Sequence, residues 1–267
     1  EPLVEALRRR AAASTDDERG REDLVRIASI VADKIQDTDR AIQAWREVEE
    51  RFGRSAQTVD ALADLLSSGE RWDELATLLQ ASIQGEAPGE RRASLLGRLG
   101  DVYRQRLDAA TRALQCYSAA LEEEPQNTQS REGLTALVND ATCAAGAIGA
   151  LVRAFRKTDE WWETLALLEQ RLRVADDDQT RAEILMEAAS TQETRGNDAN
   201  AALLSVGRAL AFAPDSLRIE QDLLRLAQKS EGWASTVDAY RRAITAAEGD
   251  EARVAELRFR QATILEE

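Results

Sequence analysis

The chain contains no histidine among its 267 residues. That removes the commonest general base and the commonest metal ligand. It holds two cysteines, Cys116 and Cys143, 27 apart. These make neither a disulfide framework nor a zinc spacing, and a reducing compartment is the simpler reading. Lysine is confined to Lys34, Lys157 and Lys229, and the net charge is −14. A nucleic-acid binder needs a basic footprint, which this chain lacks, and an acidic surface repels anionic lipid headgroups. No apolar run approaches the ~20 residues that span a bilayer. A cytoplasmic location is expected, although a chain beginning with Glu1 leaves room for a lost leader. Aromatics supply only 4% of residues and proline only four positions. Alanine, leucine, arginine and glutamate dominate instead, all strong helix formers, so an all-α chain is expected.

What is present is a repeated phrase. Glu70–Gln80 reads "ERWDELATLLQ", Asp159–Gln170 reads "DEWWETLALLEQ", and Glu231–Arg241 reads "EGWASTVDAYR". Their tryptophans, Trp72, Trp162 and Trp233, lie 90 and 71 residues apart. A second series, Trp45, Tyr117 and Val206, is spaced 72 and 89. A third, the small residues Ala28, Gly100, Ala189 and Ala262, is spaced 72, 89 and 73. The unit is therefore about 72 residues, twice 36, with a middle copy enlarged between Tyr117 and Trp162. The excess is long enough for one added helix near residues 139–157. Units fall at roughly 20–88, 89–177, 178–249 and a partial 250–267.

Each half-unit reads as two amphipathic helices. Trp72, Leu75, Leu78 and Leu79 share one helical face. Pro88, Pro125 and Pro214 fall between periodic segments. Thr15, Thr38, Thr128 and Ser216 are candidate cap or near-cap residues. About 15 helices and no strand are expected. Large side chains such as Trp45, Trp72 and Tyr117 read as knobs between helix pairs, with small Gly100, Ala113 and Ala120 permitting close approach. Trp162 holds the repeat position in that alignment, so Trp161 is surplus. It either packs on the extra helix or stands exposed at a binding surface, where tryptophan is enriched.

These residues resemble the tetratricopeptide repeat, a helical pair of ~34 residues. Its second helix carries Ala, an aromatic, Ala and Pro at the spacing of Ala113, Tyr117, Ala120 and Pro125. Ala202, Val206, Ala209 and Pro214 repeat that spacing with Val for the aromatic, and Ala41, Trp45 and Val48 match more loosely. Leu99, Gly100 and Tyr103 match the first helix. The likeness covers nearly the whole chain and is similar to degenerate repeats of long bacterial arrays. It implies a right-handed α-solenoid of about seven stacked hairpins. Projecting the 72-residue offset backward lands before Glu1, and the last segment is a first helix without a second. A segment of a longer protein is expected.

Chemistry is sparse. Cys116 and Cys143 read as buried inert thiols. "GAIG" at Gly146–Gly149 follows no strand and reads as close helix packing, not a dinucleotide fingerprint. "DDD" at Asp176–Asp178 lacks the register and glycine of a calcium loop and reads as a helix start. Glu122–Glu124 reads as a solvated helix end. No catalytic residue, cofactor, metal or small-molecule substrate is expected. The resemblance implies that first helices line a concave groove that takes a peptide or helix of a partner protein. The groove positions are Asp60, Asp64, Asp101, Arg104, Glu183, Glu193, Arg218 and Arg225, with Trp161 added as an aromatic candidate. The positions that clamp a C-terminal carboxylate in some members are not Lys or Asn here. The alternative is a structural role, self-association or a spacer within a larger complex.

Overall fold

The computed structural model describes residues 2–13, 17–35 and 37–266. Among them the chain forms sixteen α-helices and no strand. Thr15 lies outside the described residues. The chain divides into two compact units, Glu1–Cys143 and Ala144–Glu267.

The first unit holds α1 (Pro2–Ala13), α2 (Asp17–Ile30), α3 (Thr38–Phe52), α4 (Ala56–Ser68), α5 (Trp72–Gly85), α6 (Glu90–Gln105), α7 (Ala110–Glu123) and α8 (Thr128–Leu137). A π-helical turn, Val31–Ile35, extends α2. The second unit holds α9 (Ala144–Lys157), α10 (Trp161–Ala166), α11 (Leu168–Val174), α12 (Asp178–Thr194), α13 (Ala199–Phe212), α14 (Leu217–Ser230), α15 (Trp233–Ala246) and α16 (Glu251–Glu266). Within each unit consecutive helices pack on one another, and α6 with α8 and α13 with α15 also meet across the helix between them. This is the helical-hairpin solenoid that the period of 36 demands, built in each unit from short antiparallel pairs.

The turns follow the sequence closely. Ser216 caps α14, its side chain accepting from the Ile219 amide. At Thr38 and Thr128 the cap is one residue earlier, Asp37 and Asn127, because a carboxylate or amide oxygen reaches the third amide. Asp177 of the acidic triplet caps α12 through the Thr180 amide, which holds its carboxyl below the usual range. Among the described residues five non-glycines adopt the left-handed conformation: Glu70, Asp108, Asp159, Asn197 and Glu231, with φ between 48° and 60°. Glu70, Asp159 and Glu231 are spaced 89 and 72, and Asp108 and Asn197 are spaced 89. Each sits at a tight helix-to-helix turn, so backbone geometry repeats where side chains have drifted.

Those turns set the true register. Glu70, Asp159 and Glu231 each stand two residues before a helix, which begins at Trp72, Trp161 and Trp233. Trp161, not Trp162, is the repeat residue. Its spacing of 89 and 72 now agrees with the other two series. The recurrent tryptophan is also not the interlocking knob. It opens its helix, and Trp233 is 39% exposed. The knob lies seven residues on. Positions +3, +7 and +10 from the helix start are buried in α3 (Ala41, Trp45, Val48), α5 (Leu75, Leu79, Ser82), α7 (Ala113, Tyr117, Ala120), α13 (Ala202, Val206, Ala209) and α15 (Thr236, Tyr240, Ala243). That spacing places three side chains on one stripe of a helix, which is the stripe facing both neighbours.

The added residues are resolved in the same way. Shifted by 72, α4 falls on the start of α8; shifted by 89, it falls on α9 and ends at the same left-handed turn. One helix of the unit is thus replaced by two. The helix expected near 139–157 is α9, Ala144–Lys157. Its close-packing residues are Ala147, Ala150 and Ala154, all buried, whereas Gly146 is exposed and a β-carbon on Gly149 would meet only the end of Arg153.

Candidate functional site in the first helices of each unit

In the first unit α4 and α6 carry four of the candidate positions. Asp60 accepts from Arg91 at 3.1 Å and from Arg98 at 3.0 Å, and Asp64 accepts from Arg98 at 3.1 Å. Asp101 accepts from the Tyr117 hydroxyl at 2.5 Å and from the Gln129 amide at 2.6 Å. Arg104 donates to the same hydroxyl at 3.3 Å. Burial and the Asp101 carboxylate push the Tyr117 phenol upward, so it stays a donor. Asp101 and Arg104 therefore serve the helix core more than the surface. A cleft of about 210 Å³ remains beside them, lined by Asp64, Trp72, Arg98, Asp101, Arg106 and Gln129. The Arg106 guanidinium lies 4.5 Å from the Trp72 ring centroid and covers that face of the indole.

In the second unit α12 and α14 bring four candidates together. Glu183, Glu193, Arg218 and Arg225 line one cleft of about 490 Å³ with Met186 and Ser190. Its apolar floor is Ala182, Ala189, Val206, Ile219 and Leu226. Arg225 holds Glu193 with two hydrogen bonds of 2.8 Å, and Lys229 adds a third at 2.9 Å. These donors lower the Glu193 carboxyl to about 2. Arg225 also reaches Asp222 at 3.2 Å. Glu187 is held by Arg156 at 2.5 Å and Arg171 at 2.7 Å. Glu183 accepts only the neutral Gln179 amide, at 2.7 Å, and Arg218 is exposed without an ion pair.

Trp161 meets Trp162 edge-on, with ring centroids 5.9 Å apart. Trp161 is half-buried, and Trp162 carries the exposure at 53%. Sequence reasoning also missed Met186, Ser190 and Asp222, which carry no motif. It also missed the cations that neutralise these acids, Arg225 excepted, although a signal exists. Arg98 with Asp64, Lys229 with Glu193, and Arg195 with Asp159 are separated by 34, 36 and 36 residues. An opposite charge one half-unit away is the mark of a pair between adjacent repeats.

The thiols are unreactive by environment. Burial pushes Cys116 up to about 11, and Cys143 is fully enclosed. Among the described residues no three His, Cys, Asp or Glu side chains gather as a metal site, and no helix is long and apolar enough to cross a membrane.

No known family and no curated protein matches the sequence. Among solved structures the chain is similar to the TPR2AB domain of yeast Sti1 in its complex with pHSP90. Identity is 13%, with 88% of this chain and 95% of that one covered, at a TM-score of 0.34. It is also similar to Naa15/Naa10 bound to HypK-THB, at 15% identity and a TM-score of 0.38. There 95% of this chain covers 42% of the other. At these values the fold rests on the helix pairing and register described above. The chain is an all-α helical-repeat protein whose hairpins resemble tetratricopeptide repeats.

Proposed function

We propose that this chain is a non-catalytic protein-interaction scaffold that holds a peptide or helix of a partner protein against its first helices. The observation that carries this reading is the cleft between α12 and α14. It is the larger of the two clefts at candidate positions, at about 490 Å³, and it joins an apolar floor to a charged rim. Recognition clefts combine those two features: the floor supplies affinity and the rim fixes orientation. The test is site-specific photocrosslinking in lysate of the native host. A photoreactive residue at Ser190 sits inside the cleft, and one at Leu204, an exposed side chain of α13, is the comparison. A protein crosslinked from Ser190 and not from Leu204, and lost when Met186→Arg fills the cleft, supports the reading. Crosslinks equal from both sites contradict it.

A structural or assembly role is the second reading. Trp162 at 53% exposure and Phe259 at 74% favour it, since exposed aromatics of that size suit contact with another chain or a second copy. A mass that rises with concentration in sedimentation equilibrium, and falls back on Trp162→Ser or Phe259→Ser, would support it.

A further inference from the structure

We infer that the α12–α14 cleft selects a dipolar peptide segment: one apolar side chain flanked by an acid that meets Arg218 and a base that meets Glu183. The inference rests on the cleft being a peptide site and adds the chemistry of its ligand.

The reasoning is a balance of charge within the cleft. Six ionisable groups line it: Glu183, Glu187, Glu193, Arg218, Asp222 and Arg225. Four are spent inside the protein. Glu193 is held by Arg225 and Lys229, Asp222 by the same Arg225, and Glu187 by Arg156 and Arg171. A ligand charge approaching any of them must displace a bonded partner and gains little. Glu183 and Arg218 are the exceptions. Each is exposed, each lines the cleft, and neither makes an ion pair. They are opposite in sign and come from facing helices. A ligand carrying one charge alone meets one attraction and one repulsion. A ligand carrying both satisfies both, so the pair acts as a sign filter. The apolar floor of Ala189, Ile219 and Leu226, with Met186 as an adaptable wall, takes the side chain between them. On a chain of net charge −14, Arg218 is also a local exception to a field that would otherwise draw only bases.

The test is a random dodecapeptide library displayed on phage and selected on the full chain, followed by affinity measurements on the recovered peptides. Peptides with an acid and a base around an apolar residue are expected. Arg218→Glu should weaken them about tenfold, and changing the peptide's acid to lysine should restore binding to that variant. Glu183→Arg should behave in the same way toward the peptide's base. Neither substitution touches the core, and unchanged melting temperatures verify this. Cleft binders indifferent to both substitutions overturn the inference while leaving the groove reading intact. So does a finding that Arg218→Glu lowers the melting temperature and Glu183→Arg restores it, because the two groups then serve each other. Peptides unaffected by the cleft-filling Met186→Arg, or a library that yields none, overturn both.

Discussion

The ring of Tyr117 on α7 rests on the bare α-carbon of Gly133 on α8, where a β-carbon would stand 2.3 Å from Cζ. The same ring also meets Gly100 on α6, where a β-carbon would stand 2.5 Å from Cε1. Ring and backbone cannot both stay in place if either position gains a methyl group. Gly133→Ala and Gly100→Ala are each expected to cost about 1–3 kcal/mol, the usual range for overpacking a filled core. Gly149→Ala, where the added carbon meets only the guanidinium end of Arg153 at 3.4 Å, should instead add about 0.5–1 kcal/mol by restricting the unfolded chain. Urea denaturation of the three variants checks the contrast. Equal effects would show that Tyr117 has room to move.

Glu231 holds φ at 56° in the turn between α14 and α15. A side chain with a β-carbon is strained there, and asparagine tolerates the region better than glutamate. Glu231→Gly should therefore stabilise the chain by about 0.5–1 kcal/mol, whereas Asn197→Gly should change little. Thermal melts of the two variants decide it.

Glu193 gives a pH signature. Its folded carboxyl titrates at about 2, below the ordinary 4.5, chiefly through the Arg225 hydrogen bonds and then Lys229. A depressed carboxyl contributes stability that is complete above the ordinary value and is lost as pH falls toward the folded one. Arg225 is half exposed, so the screened contribution at pH 7 is about 1 kcal/mol. Glu193→Gln should show that deficit at pH 7, and the deficit should shrink between about pH 4.5 and 2. Urea midpoints of both proteins across that range test it; a deficit constant with pH would refute the pairing.

Glu220 is the most enclosed carboxylate of the second unit, at 1% exposure. Its Oε1 accepts from the Tyr240 hydroxyl at 2.7 Å. Its Oε2 takes no aligned hydrogen bond but lies against the guanidinium groups of Arg260 and, at 3.7 Å, Arg253. Arg253 is itself buried and also binds the Pro214 carbonyl. These contacts tie α16 to α14 and α15. Glu220→Ala removes the buried carboxylate that Arg253 and Arg260 share, leaving them Glu256, and strands the Tyr240 hydroxyl, and should cost about 1–3 kcal/mol. Amide hydrogen exchange should show α16 opening ahead of α12 and α13 in that variant. Uniform exchange across the unit would argue against a local tie.

Much of this fold was readable before any coordinates. The 72-residue unit and the excess of about 17–19 residues in the middle copy came from spacing; the helical class came from composition and from side-chain faces that recur every 3.6 residues. Gly100 was legible as a small residue permitting close approach and Tyr117 as a knob, but their contact with each other was not. Gly133 was not legible at all, because α8 belongs to the irregular copy. The doublet Trp161–Trp162 misled because the two spacings differ by one residue: Trp161 keeps the 89 and 72 of the other series, Trp162 gives 90 and 71, and the left-handed turn at Asp159 places the helix start at Trp161.

The candidate site divides along the same line. Local sequence establishes which residues lie on a first helix; Glu183, Glu193, Arg218 and Arg225 stand on α12 and α14 and line one cleft. Whether each charge is available to a ligand depends on contacts of about 3 Å made between helices more than thirty residues apart. Arg225 and Arg218 are alike in type, face and spacing. One is spent on Glu193 and the other is not, and a difference of that kind belongs to distance in space rather than to order along the chain.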